Sequence, residues 1–167
     1  EAPDFDTSLQ SLRILVEGGG EMKQKALDSF HSRWKKDTAT LCYWFSVQSR
    51  FSRCTAEDVK KAMQAEGFDP KNPNHLRSAV HTFTQNLARF HDPSGKGYRF
   101  AVDQIIEIAQ YNPMISFNLA KQVFLDFEKL PDVQKQLLAK EGRRLLSAKL
   151  PPEVYELLRR VANVGDK

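Results

Sequence analysis

The chain has 167 residues, 41% of them hydrophobic and 28% charged, enough apolar material for one substantial core beneath a charged surface. A sum of 25 Lys and Arg against 21 Asp and Glu leaves a net charge of +4, too mild and too dispersed to point to a nucleic-acid partner. The densest apolar stretch, Leu41 to Val47, falls far short of the roughly 18 residues of a membrane-spanning helix, so no membrane association is expected.

In chain order, Glu1-Ala2-Pro3-Asp4 lacks a Met, a basic n-region and an apolar h-region, so the sequence reads as a fragment rather than as a start or a signal peptide. Gly18-Gly19-Gly20 closes a first helix. Met22, Ala26, Phe30 and Trp34 then repeat at a helical spacing. Thr40 to Val47 carries aromatic and β-branched residues that suit a strand; with no partner strand elsewhere, a helix is favoured. Thr55 with Asp58 forms a capping-box pattern, and Asn72-Pro73 sets an N-cap before a first-turn proline.

Leu76, Val80, Phe83, Leu87 and Phe90 continue the three-and-four rhythm as one apolar face. Ser94-Gly95-Lys96-Gly97 has a glycine-lysine look, but Phe90 stands where a phosphate loop needs glycine and Gly97 where it needs Ser or Thr. A tight polar turn is the expectation there. Tyr98, Val102, Ile105, Ile106 and Ala109 form the next face, and Asn112-Pro113 caps another start. Pro131 and Pro151-Pro152 mark two more, opening the faces Val133, Leu137, Leu138 and Val154, Leu157, Leu158, Val161. The basic groups at Arg33 to Lys36, Arg143-Arg144 and Arg159-Arg160 fall late in helices, where cations complement the carbonyl end of the dipole.

These elements predict an all-α fold of about eight helices, arranged as stacked antiparallel pairs in an α-α superhelix of the armadillo or HEAT type. The two Asn-Pro starts lie 113 − 73 = 40 residues apart, within the period of such repeats. Residues 1–167 are expected to form a single domain.

Catalytic chemistry finds no footing. His31, His75, His81 and His91 lack the paired spacing with an intervening Glu of a zinc-peptidase helix. Cys42 and Cys54 are too sparse for a disulfide framework or a structural zinc site. They fit a reducing, soluble compartment, cytoplasmic or organellar. Asp103 and Glu107, one turn apart, read as a solvated face before they read as a catalytic pair, and no nucleophile elbow is present. No catalytic residue, metal ligand or cofactor is assigned to this chain.

Three segments nevertheless carry a signature: Asn72-Pro73-Asn74-His75-Leu76-Arg77, Arg89-Phe90-His91-Asp92-Pro93-Ser94-Gly95-Lys96-Gly97-Tyr98-Arg99-Phe100, and Asn112-Pro113-Met114. With Phe30 to Asp37 and Trp44-Phe45 upstream, the chain from about Phe30 to Asn163 resembles the C-terminal helical domain of the aminopeptidase N family of zinc metallopeptidases, in its bacterial and apicomplexan branch. The resemblance implies a fragment of a zinc-dependent aminopeptidase whose zinc lies in an upstream catalytic domain, the partner of this one. The fragment would cap the catalytic chamber, gate short peptides and line the pocket beyond the scissile bond. Alignment on the shared motifs implies substrate-binding roles for Arg77, Met114 and Asn118. Some members carry Gln and Arg at the last two positions, so Met114 would here offer an adaptable apolar wall. The plainer alternative is that Met114 staples its helix start, Asn118 is solvated and Arg77 pairs with a carboxylate. A free-standing α-solenoid that binds proteins is the alternative for the whole chain, and docking of missing domains is expected to leave an apolar patch near Cys42 to Phe45.

Overall fold

The computed structural model describes residues 4–162, with side chains to residue 160. The expectations on Glu1 to Pro3, on the side chain of Val161 and on Asn163 lie outside those limits. Among the described residues the fold is all-helical: α1 Phe5–Gly18, α2 Gly20–Trp34, α3 Thr38–Arg50, α4 Ala56–Met63, α5 Pro73–Leu76, α6 Thr82–Thr84, α7 Leu87–Phe90, α8 Lys96–Ala109, α9 Pro113–Phe124, α10 Asp132–Leu146 and α11 Pro152–Ala162. A π-helical turn at Arg77–His81 joins α5 to α6, and a 3-10 turn at Phe127–Lys129 precedes α10. Contacts group the chain into two compact units, residues 1–89 and 90–167.

The helix starts follow the sequence signals. Thr55 and Asp58 make the reciprocal capping box of α4. Asn72 and Asn112 each accept from a backbone N–H of the first turn, with proline at the first helical position. Asp37 caps α3 through Ala39 and Thr40, so the ambiguous Thr40 to Val47 stretch is helical. Between α1 and α2, Gly19 at φ 75° turns the chain back within one residue, a conformation that glycine adopts without a Cβ clash.

In the first unit α1 packs on α2, and α3 is the central helix, touching α1, α2, α4, α5 and the π-helical turn. Its Leu41, Trp44 and Phe45 are buried, and the Trp44 indole donates to the Leu27 carbonyl at 3.0 Å. In the second unit α8 packs on α9 and α10, and α11 packs on both α9 and α10. Tyr98, Phe100, Ala101, Val102, Ile105 and Ile108 of α8 are its core, with Leu119, Leu138, Leu145, Val154 and Leu158 around them.

Two expectations need correction. The single face from Leu76 to Phe90 is interrupted at Gln85-Asn86, which separate α6 from α7, and Leu87 ends on the surface, whereas α5 and α6 run on through the π-helical turn. There the Thr82 N–H reaches back five residues to the Arg77 carbonyl, which also accepts from the Thr82 hydroxyl at 3.3 Å. Met22 and Val133, placed on apolar faces by their spacing, are likewise exposed. A helical period identifies a stripe, but neighbouring helices decide how much of that stripe is covered.

Candidate functional site

The second unit presents α9 with an outward stripe of Met114, Asn118 and Lys121, all exposed. Asn112 caps the helix and Ser116 fixes it from below, its hydroxyl donating to the Ile105 carbonyl of α8 at 2.9 Å. Met114 lies at the second helical position and is 73% exposed. It therefore does not staple the helix start. Asn118 follows one turn later on the same face, so the two side chains are neighbours on a rigid element. Among the described residues Lys121 has no carboxylate within salt-bridge distance.

Arg77 lies in the first unit, as the first residue of the π-helical turn, with its side chain exposed. No ion pair forms there among the described residues. A π-helical turn inserts one extra residue and is often found at functional positions. No local pattern signals it, because the hydrophobic rhythm runs on through Val80 and Phe83.

The chemistry-bearing residues that the resemblance did not assign are committed to structure. His31 Nε2 donates to the Glu66 carbonyl at 2.7 Å. His75 Nδ1 accepts from the Asp69 N–H at 3.0 Å, and its ring is enclosed by Phe45 and Phe68. His91 Nδ1 lies 2.7 Å from the Tyr98 hydroxyl, whose pKa burial raises to about 12. Asp103 pairs with Arg144 at 2.8 Å, while Glu107 accepts from Gln104; they do not act as a carboxylate pair. Cys54 is buried with its pKa pushed up to about 12 by burial and by Asp58, which makes it an inert thiol. Among the described residues no cluster of three or more His, Cys, Asp or Glu side chains could hold a metal ion. No helix among them is long and apolar enough to cross a membrane.

Burial lowers the pKa of both His75 and His91 below the ordinary histidine value; the Thr38 backbone and Asp69 oppose this at His75, and Asp126 opposes it at His91. The fold therefore holds both rings neutral where the unfolded chain takes up protons. Stability is full above about pH 6.5 and is lost as pH falls through that value, until the folded state itself protonates. Thermal midpoints are expected to fall between about pH 7 and pH 5, above the carboxylate range. The slope should be shallower in His91→Gln, and an unchanged slope would remove His91 as a cause.

Residues 1–163 match a domain of unknown function, DUF3458_C, described as ARM repeats. The chain belongs to the DUF3458_C family. The ARM-repeat character agrees with the armadillo-type pairing read from the sequence, and with the helix pairs seen in each unit. Aminopeptidase N of Caulobacter vibrioides is 38% identical over 158 residues, covering 93% of this chain and 18% of that protein. Aminopeptidase N of Haemophilus influenzae is 30% identical over 148 residues, covering 87% of this chain and 17% of that protein. The chain thus spans less than a fifth of the length of these curated relatives. The crystal structure of Legionella pneumophila aminopeptidase A in complex with aspartic acid aligns with a TM-score of 0.86 over 96% of this chain and 20% of that one, at 24% identity. That likeness establishes the fold of this DUF3458_C chain.

Proposed function

We propose that this chain is the C-terminal helical domain of a zinc-dependent aminopeptidase, and that it caps the catalytic chamber, gates peptide entry and lines the pocket beyond the scissile bond. The observation that carries the reading is the stripe on α9. A large apolar side chain, Met114, stands fully outward at a rigidly capped helix start, followed by an amide at Asn118. Such a pair offers an apolar wall with a hydrogen-bonding group one turn away, which suits a peptide whose backbone must be held but whose side chains vary. Arg77, which belongs to the first unit and makes no ion pair among the described residues, is proposed separately as a cation for a peptide carboxylate.

The zinc of this reading would belong to an upstream catalytic domain of the same polypeptide, as the resemblance to the aminopeptidase N family implies; in this chain His31, His75 and His91 are engaged with Glu66, Asp69 and Tyr98. This domain's contribution is positional: it excludes bulk water, admits short peptides and fixes the substrate against the reacting centre. The unbridged thiols of Cys42 and Cys54 suit a reducing compartment for the parent.

Kinetics of the full-length polypeptide test the reading. Met114→Ala, Asn118→Ala and Arg77→Ala are each expected to raise KM about 5- to 30-fold for tripeptides, the loss of a contact worth about 1–2 kcal/mol. A single aminoacyl amide, too short to reach beyond the scissile bond, should be turned over as before. Equal effects on both substrates would sink the pocket assignment. A full-length protein without chelator-sensitive release of N-terminal residues would leave the α-solenoid binding module in its place.

A further inference from the structure

Uncovered apolar surface occurs in both units. In the first it lies in an open groove of about 990 Å³ between α1 and α3, with Ile14 72% and Tyr43 47% exposed. Trp44 and Phe45, from the same stretch expected as a docking patch, are buried. In the second it lies on α9, where Met114, Asn118, Lys121 and Leu125 follow at intervals of four, three and four residues and are all exposed. That spacing puts them in one row along the helix. From the helix start onward the row reads apolar, amide, cation, apolar.

The cation of the row is not neutralised by its surroundings. The carboxylates that follow it in the chain are taken by other lysines: Asp126 pairs with Lys129 at 2.7 Å and Glu128 with Lys135 at 3.4 Å. On α8, which packs on α9, Asp103 pairs with Arg144 and Glu107 accepts from Gln104. Lys121 itself makes no ion pair among the described residues. Its place in the last turn of α9 complements the carbonyl end of the helix dipole. That role still leaves an exposed ammonium with donors available to a ligand.

The proposed pocket sets the direction in which a substrate extends. Met114 is the second residue of α9, so with the residue beyond the scissile bond against it, the rest of the row lies ahead and none behind. Lys121 stands about 10 Å further along the axis at about 1.5 Å per residue, and its long stem leans back toward the helix start. An extended peptide advances about 3.4 Å per residue and returns every second side chain to the same face. The free carboxylate of a tripeptide and the side chain of a fourth residue both fall roughly 7 Å beyond the Met114 contact, within reach of the Lys121 ammonium. We infer that Lys121 is a specificity-determining residue that binds a peptide carboxylate at the second or third residue beyond the scissile bond. Anionic peptides are then the preferred substrate class of this site. The inference rests on the proposed pocket and deepens it by naming the charge of the substrate.

Paired substrates of the full-length polypeptide test it. One pair is trialanine as free acid and as C-terminal amide; the other is the tetrapeptide amides with three alanines followed by Asp or by Asn. In each pair KM for the charged member is expected to be about 2- to 5-fold lower, the range of an exposed ion pair. The preference should vanish in Lys121→Gln, reverse in Lys121→Glu and persist in Lys121→Arg. A lysine that only stabilises its helix moves both members of a pair alike and leaves their ratio unchanged. A response confined to the first pair assigns Lys121 to the chain terminus, one confined to the second to acidic side chains, and one in both to any carboxylate at that depth. Equal KM values within both wild-type pairs overturn the inference. So does a preference that survives in Lys121→Gln, which would leave the carboxylate to another cation such as Arg77. Met114→Ala assayed on the neutral members separates the two readings. A raised KM there, with ratios indifferent to Lys121, loses only this inference; an unchanged KM removes the pocket and the inference with it.

Discussion

Phe45→Ala is expected to cost about 3–5 kcal/mol of stability, the range for deleting a fully enclosed aromatic ring. Phe45 sits at the centre of the first unit with no exposed surface. Its ring meets Trp44 at 5.4 Å, Phe68 at 5.1 Å and His75 at 5.3 Å, all edge-on. Three edge-to-face contacts add to the transfer term, and helix α3 cannot collapse into the void because it is held from several sides at once. For a chain of this size the loss corresponds to a fall in thermal midpoint of roughly 6–20 °C. Phe45→Leu keeps most of the volume and should cost about 1.5 kcal/mol or less. Denaturant unfolding of both variants checks the pair, and similar midpoints for the two would mean that the site relaxes rather than leaving a cavity.

Gly97→Ala opposes two physical effects whose signs differ. Gly97 is the second residue of α8, where alanine gains helix propensity by up to about 1 kcal/mol over glycine. Against that, a Cβ at Gly97 would stand 2.5 Å from the Phe90 carbonyl oxygen and 3.1 Å from its Cα. Those are backbone atoms and cannot rotate aside. Relief requires moving α7 or α8, whose rings interlock through Phe90 and Tyr98 at 5.1 Å, and overpacking of this kind costs about 3 kcal/mol. The clash is expected to win, with a net fall in thermal midpoint of roughly 4–12 °C. Gly142→Ala is the control: its Cβ would meet only the Phe124 ring edge at 3.3 Å, a side chain able to give, so propensity should nearly offset the contact. A rise in stability for Gly97→Ala would show that the close approach is not rigid.

The candidate site divides in the same way. The helix starts beside it were legible because Asn112-Pro113 and Asn72-Pro73 are local signals: a capping side chain and a proline act within one turn and look alike wherever they occur. That Met114 points outward was not legible, since a methionine at a helix start serves equally as a staple. Only the position of α8 behind α9, fixed by Ser116 on Ile105, turns Met114 away from the core. The sequence likewise offered no sign of the π-helical turn at Arg77, because the apolar rhythm is preserved across it.

The sequence by itself determined the helical class, the cap-marked helix starts, the reversals at glycine and the absence of a recognisable catalytic motif. These depend on interactions spanning a few residues, which composition and spacing carry directly. Tertiary structure decided which apolar residues are covered, placing Phe45 inside and Ile14, Tyr43, Leu87 and Met114 outside. It also committed His75 and His91 to hydrogen-bonded partners and opened the α1–α3 groove. Coverage is a property of what packs against a helix, and the helices that do so are distant in sequence, so no local pattern encodes it.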